Sequence, residues 1–255
     1  MYLAGFFLTN TIVAEIIGVK LFSLEKTLGL PEANLTIFGS SGLSFNLTAG
    51  VLLWPFVFVM TDIINEYFGP RGVRLLSWIA AIMVSYAFVM LLMAINLEPA
   101  GFWVKSHISD SMTEAEKAAA LSKVGDYNEA FRLVFGQSLL IIVGSLTAFL
   151  TAQFVDVFIF HKIKKATGEG KIWLRTTGST VISQFFDSFV VIFIAFYLSG
   201  KWSLAQTFSV AIVSYLYKFT IAILMTPVIY GVHFLIDRWL GETLATEMKR
   251  AAQEG

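Results

Sequence analysis

Three polar side chains interrupt an apolar run in the stretch Phe56-Val-Phe-Val-Met-Thr-Asp-Ile-Ile-Asn-Glu-Tyr-Phe-Gly69. Asp62, Asn65 and Glu66 are spaced i, i+3 and i+4, which places them on one face of a helix. Two later pairs, Gln153/Asp156 and Gln184/Asp187, each set an amide and a carboxylate three residues apart. Lys218 stands in another apolar run, with Tyr215 one turn before it. Asn10 and Glu15 interrupt the first apolar run. Trp54, Phe58 and Asp62 form an i, i+4, i+8 stripe that puts aromatic rings on the face of the first carboxylate.

Inside a bilayer a charged side chain costs roughly 2.5–3.5 kcal/mol at a helix centre on insertion scales, so such residues pair with one another or line a cavity. Lys218 could neutralise Asp187 as a static pair. Carboxylates outnumber lysines in these runs, however, so pairing leaves acceptors over. Surplus acceptors suit protons or a ligand rich in N–H donors. A guanine-like base offers N1–H and an exocyclic amine to a carboxylate, and its O6 accepts from an amide or a lysine. Its flat face would stack on the aromatics, worth roughly 1–3 kcal/mol per base. This chemistry alone leaves nucleobases, vitamins and cationic drugs open.

The elements that must hold these groups are membrane helices. The 255-residue chain is 56% hydrophobic and 14% charged, against roughly 25% charged residues in a soluble globule. Its net charge is zero, with no basic surplus for nucleic acid. It has no cysteine, which excludes disulfides, thiol catalysis and cysteine-ligated metals. A spanning helix needs about 20 mainly apolar residues. Six stretches meet that length: Tyr2–Phe22, Leu47–Phe68, Leu75–Leu97, Phe131–Phe160, Thr177–Ser199 and Ala205–Trp239. The first lacks a basic leader and a cleavage site, so it is expected to be a retained helix. The reading is an all-α membrane protein with a single six-helix domain over residues 1–255.

Lys and Arg set the expected orientation. Arg71 and Arg74 follow the second stretch; Lys162, Lys164, Lys165, Lys171 and Arg175 separate the fourth and fifth; Arg238, Lys249 and Arg250 follow the sixth. The positive-inside rule makes that side cytoplasmic, with both termini and a tail over 240–255 on it. Outer loops are expected over 23–46 and 98–130. Within the second, Ser111-Met-Thr-Glu and an alanine-rich run predict a short surface helix near Thr113–Lys123. The three histidines are scattered and no zinc-binding helix or nucleophile elbow occurs, so no metal, no cofactor and no catalysis are expected. Gly168-Glu-Gly-Lys171 lacks phosphate-loop spacing and is expected to be a turn.

Four blocks, in order, carry a resemblance. Asp62-Ile-Ile-Asn-Glu-Tyr-Phe-Gly69 resembles the D-x-x-N-E-x-[YF]-G signature of the queuosine precursor transporters, a vitamin-uptake-like family. Ala152–Lys164, Trp173–Asp187, and Tyr215–Lys218 with Thr226-Pro-Val-Ile-Tyr230 agree with it. The resemblance covers nearly all of residues 45–240. It implies a bacterial inner-membrane importer of 7-deazaguanine bases: 7-cyano-7-deazaguanine (preQ0), 7-aminomethyl-7-deazaguanine (preQ1) or queuine, precursors of a modified tRNA nucleoside. It also implies a six-helix architecture similar to the substrate-binding components of energy-coupling-factor transporters. By matching blocks, Asp62, Asn65, Glu66, Gln153, Asp156, Gln184, Asp187 and Lys218 become its functional positions. Trp54, Phe58 and Tyr215 are expected to stack on the base. The loop 98–130 is longer than the family's pattern. Such small bundles often need a scaffold to work against, so a homodimer fits. The rival expectations are a substrate-capture subunit of an ATP-driven complex, an intramembrane enzyme and a structural membrane protein.

Overall fold

A computed structural model describes residues 2–136, 139–168 and 171–254. The chain forms two compact units, residues 1–84 with 140–255, and residues 85–139. Among the described residues four helices are long and apolar enough to cross a membrane, and a shorter apolar helix opens the chain.

In the larger unit α1 spans Tyr2–Ile17. Its polar residues are partly spent on its own backbone: Asn10 donates to the Phe6 carbonyl at 2.8 Å and Thr11 to that of Phe7 at 2.9 Å. The connection that follows is not plain loop. Strand β1 (Leu21–Ser23), a single turn α2 (Leu24–Thr27), strands β2 (Leu35–Ile37), β3 (Ser40–Leu43) and β4 (Asn46–Thr48), and a 3-10 turn Ala49–Leu52 occupy it. β1 pairs with β4 and β2 with β3, both antiparallel. Glu25 ties the segment together by accepting from the Phe45 N–H at 2.8 Å. The expected second span therefore starts later than Leu47: α3 begins at Trp54.

α3 runs over Trp54–Ile95, but it is bent sharply at Gly69. The φ/ψ of Gly69 are 69° and −173°, a region open essentially to glycine alone. Residues eight apart in a straight helix stand about 12 Å apart along the axis. Yet a Cβ at Gly72 would lie 3.5 Å from Cγ2 of Ile64. The chain thus folds back at Gly69-Pro70, where the sequence placed the end of one span and the approach to the next. The ring pairs agree: Trp54 lies 6.5 Å from Phe149 and Trp78 lies 6.0 Å from Phe154, although 24 residues separate the two tryptophans and only five the two phenylalanines.

The smaller unit carries α4 (Gly101–Val104), α5 (Glu114–Lys123) and α6 (Tyr127–Phe135). α5 is the expected surface helix. Thr113 caps it and Glu116 returns the bond, with Thr113 N–H donating to the Glu116 carboxylate at 2.8 Å. The fourth apolar stretch does not begin at Phe131 as one helix. Gly136 ends α6, and a new helix α7 spans Leu139–Thr167.

α8 spans Ile172–Ile192 and continues into a π-helical turn, Phe193–Tyr197. Of the phosphate-loop-like fragment, Glu169 and Gly170 lie outside the described residues. α9 runs over Leu204–Leu240, close to the expected sixth span. The expected tail is largely helical: α10 spans Glu242–Glu254. It is seated by Lys249, which donates to Asp237 at 2.8 Å, while Tyr67 donates to the same carboxylate at 2.7 Å. The backbone of Ala252 comes so near Gly69 that any Cβ there would meet its carbonyl oxygen at 2.7 Å.

Candidate functional site

α8 buries its polar face. Arg175, Ser179, Ser183 and Asp187 recur every fourth residue, and so do Thr176, Thr180, Gln184 and Ser188; all eight are buried. A soluble amphipathic helix does the reverse. From Arg175 to Asp187 the row extends about 18 Å at 1.5 Å per residue. Opposite it stand the polar residues of α3 and α7, so the larger unit encloses a polar column among apolar helices.

The end of the column nearest the Gly69 bend is an ion cluster. Glu66 is fully buried and accepts from Arg175 twice, Nε at 3.0 Å and Nη2 at 2.9 Å. Lys164 Nζ lies 3.1 Å from the same carboxylate. Arg175 also donates to the Gly168 carbonyl at 2.9 Å. Glu66 is thus held by two cations and does not line the cavity described next.

One turn further, Asp156 accepts from Asn65 Nδ2 and from the Ser183 hydroxyl, each at 3.3 Å. Gln153 donates to the Thr61 hydroxyl at 3.4 Å. Asp62 is fully buried behind this layer, and neither of its carboxylate oxygens has a hydrogen-bond partner.

A cavity opens on this layer. α3 lines it with Trp54, Phe58 and Thr61, and α7 with Phe149, Ala152, Gln153 and Asp156. α8 contributes Thr180, Ser183, Gln184 and Asp187. Trp54 and Phe58 stack on one another at 6.1 Å and 27°. The side-chain oxygens of Gln153 and Gln184 are buried without a partner. Two carboxylate residues, two glutamines with unspent amide oxygens and an aromatic wall therefore line one space. Its internal void is about 10 Å³, room for about one water. Pockets for small molecules usually hold roughly 300–1,000 Å³, well above this void.

The far end is a second ion pair. Lys218 of α9 makes a short contact to Asp187 Oδ2. Lys218 lies beside the cavity rather than on its wall. Glu15 of α1 accepts from the Ser145 hydroxyl at 2.6 Å. Tyr215 packs edge-on against Phe185 at 5.6 Å and is also absent from the cavity wall.

Of the eleven residues expected at the site, Trp54, Phe58, Gln153, Asp156, Gln184 and Asp187 line the cavity. Asn65 and Lys218 bind its carboxylates from behind. Asp62, Glu66 and Tyr215 lie off it. Sequence reading missed Arg175 and Lys164, which it had counted only as loop charges. The i, i+4 row of polar residues along Arg175–Asp187 was the signal that could have placed Arg175 inside. No group of three or more histidines and carboxylates poised to hold a metal occurs among the described residues.

A family model described as "Putative vitamin uptake transporter" matches residues 48–232, which contain the column and the cavity. A "Probable queuosine precursor transporter" of Bacillus subtilis is 29% identical over 211 residues, covering 80% of each chain. A protein of the same description from Haemophilus influenzae is 27% identical, over 78% of this chain and 73% of its own. The "Queuosine precursor transporter" of Escherichia coli is 26% identical over 74% of both. No solved structure matches the chain. With more than half its length matched to the family model, and with the buried polar column inside the matched region, the chain belongs to the vitamin uptake transporter family and is a multi-pass membrane protein.

Proposed function

We propose that this chain imports 7-deazaguanine precursors of queuosine across a bacterial inner membrane. The names of its relatives give the substrate class. The observation that carries the reading is the cavity itself: Asp156, Asp187, Gln153 and Gln184 line one space beside stacked Trp54 and Phe58, and the side-chain oxygens of both glutamines are buried without a partner. A 7-deazaguanine presents N1–H and a 2-amino group along one edge, both donors. Asp187 or Asp156 accepts from them, the amides read the rest of the edge, and the rings stack on the heterocycle. Asn65 and Lys218 orient the carboxylates from behind.

In this reading the two arms of α3 count as separate spans. Together with α1, α7, α8 and α9 they make six, in an arrangement like the capture components of energy-coupling-factor transporters, with both termini cytoplasmic. Carrying a base across requires this small cavity to widen and open alternately to the two sides.

Uptake of radiolabelled 7-cyano-7-deazaguanine into liposomes holding only this chain tests the function. Saturable uptake, competed by 7-aminomethyl-7-deazaguanine and not by adenine, is expected. Binding without uptake would instead make the chain a capture subunit that needs an ATP-driven partner. Orientation is tested separately. Ser106 and Ala166 are exposed and the chain has no cysteine. In intact cells an impermeant thiol reagent is expected to label Ser106→Cys and to spare Ala166→Cys; the opposite pattern inverts the orientation.

A further inference from the structure

Asp62 has no use in the arrangement so far. It is fully buried, no donor reaches either carboxylate oxygen, and it does not line the cavity. Two contacts between α3 and α7 bracket it: Thr61 with Gln153, and Asn65 with Asp156. Asp62 therefore lies between two points where α3 bonds to α7, and at one of them the partner is Asp156, which does line the cavity.

The charged groups around it are few. Glu66 shares its own helix, Asp156 faces it from α7, and Arg175 faces it from α8. Lys164 of α7 approaches from beyond Glu66. Both cations are directed at Glu66. Three carboxylates against two cations leave this layer one negative charge in excess when all are ionised. One proton removes the excess. A buried carboxylate with no hydrogen bond is strongly disfavoured, whereas the protonated acid is neutral and offers a donor.

We infer that Asp62 and Asp156 hold one exchangeable proton between them, and that passage of substrate through this chain is coupled to the movement of that proton. The inference rests on the transport reading above. A proton enters by way of the cavity and forms an O–H bond on the Asp156 carboxylate. A base bearing N–H donors needs Asp156 as an acceptor, so its arrival sends the proton on to Asp62. The loaded layer is then neutral and free to rearrange among apolar helices. On the other side the base leaves, the O–H bond on Asp62 breaks as the proton returns to the freed Asp156 carboxylate, and water in the cavity takes it from there. Only a proton is transferred, and both carboxylates return to their starting state.

The test uses the full chain in liposomes with a pH-sensitive dye inside and the membrane potential clamped at zero. The probe is radiolabelled 7-cyano-7-deazaguanine, which carries no charge of its own. With the outside one pH unit more acidic, wild type is expected to concentrate the base about tenfold, the ratio one proton per base supports. The dye should report acid entering with the base, and a protonophore should abolish both signals. Asp62→Asn mimics the protonated acid and removes no hydrogen bond. Its thermal unfolding should not fall, its calorimetric binding of the base should persist, and its accumulation ratio should drop to one.

Exchange of the base by wild type without accumulation overturns the coupling and leaves the transport reading standing. Absence of any binding or exchange overturns that reading and this inference with it. Accumulation that follows a sodium gradient, or Asp62→Asn accumulating like wild type, overturns the proton site. Loss of base binding in Asp62→Asn assigns Asp62 to the substrate instead. Should that variant not fold, the dye signal of wild type decides: base entering with no acid overturns the inference.

Discussion

Replacing Glu66 by Gln is expected to lower stability by about 3–5 kcal/mol, the range for breaking one side of a buried charge cluster. The carboxylate is fully buried, takes both prongs of the Arg175 guanidinium, and stands 3.1 Å from Lys164. Glutamine keeps the volume and one acceptor oxygen but removes the charge that both cations face. The guanidinium and the ammonium would then repel one another in a low-dielectric site. For a chain of this size about 1 kcal/mol moves the unfolding midpoint by roughly 2–4 °C. Glu66→Gln in detergent should therefore unfold about 6–20 °C below wild type. Arg175→Lys keeps the charge and loses the fork, so its loss should be smaller. A Glu66→Gln midpoint within two or three degrees of wild type would show that the cluster does not hold α3, α7 and α8 together.

That prediction rests on a contact the sequence did not disclose. Periodicity states which residues of one helix share a face, and here it grouped Gln153 with Asp156 and Gln184 with Asp187, which the fold places on one cavity. It does not state how far each helix is rotated toward its neighbour. Arg175 and Lys164 lie in a basic run and were read as loop charges on the cytoplasmic side. Seven residues of extra helix at the end of α7 and five at the start of α8 carry them inward instead, where Glu66 waits. Asp62 and Glu66 were grouped for the same reason and then part company: one has two cations and the other has no donor.

Local signals fared by their strength. The capping pattern Thr113 to Glu116 sets α5 because both halves of the motif are short-range. The run of α9 was legible because its apolar stretch is long and ends at Gly241. The segment 23–46 was read as a loop, and 21–22 and 47–48 as span ends, because the strands there are only three or four residues long, too short for alternation to show. The Gly69 bend was legible as a boundary, since Gly-Pro marks a break, but the close approach of the Ala252 backbone to it, from a residue distant in sequence, was not. That the cavity is small follows from side-chain packing across three helices, which no single stretch encodes.

Lys218→Met, with and without Asp187→Asn, separates support from recognition at the other end of the column. Lys218 is buried and bound to Asp187, and only the carboxylate faces the cavity. Removing the lysine alone strands a buried negative charge, so stability should fall by about 3–5 kcal/mol. Asp187→Asn alone strands the ammonium and should fall comparably. The double variant loses both charges at once. An amide and a thioether of similar bulk remain, and stability should return to near wild type. Uptake should not return with it. Asp187 is proposed to accept from the N–H edge of the base, and a hydrogen bond to a charged group is worth about 1.5–3 kcal/mol, so the double variant should transport roughly tenfold to a hundredfold less than wild type at low substrate. A double variant that recovers stability and uptake together would make Asp187–Lys218 a structural pair and move recognition of the base to Asp156 and the two glutamines. Thermal unfolding and initial uptake rates on the two single variants and the double variant distinguish these outcomes, because a structural pair couples the two readouts and a recognition residue separates them.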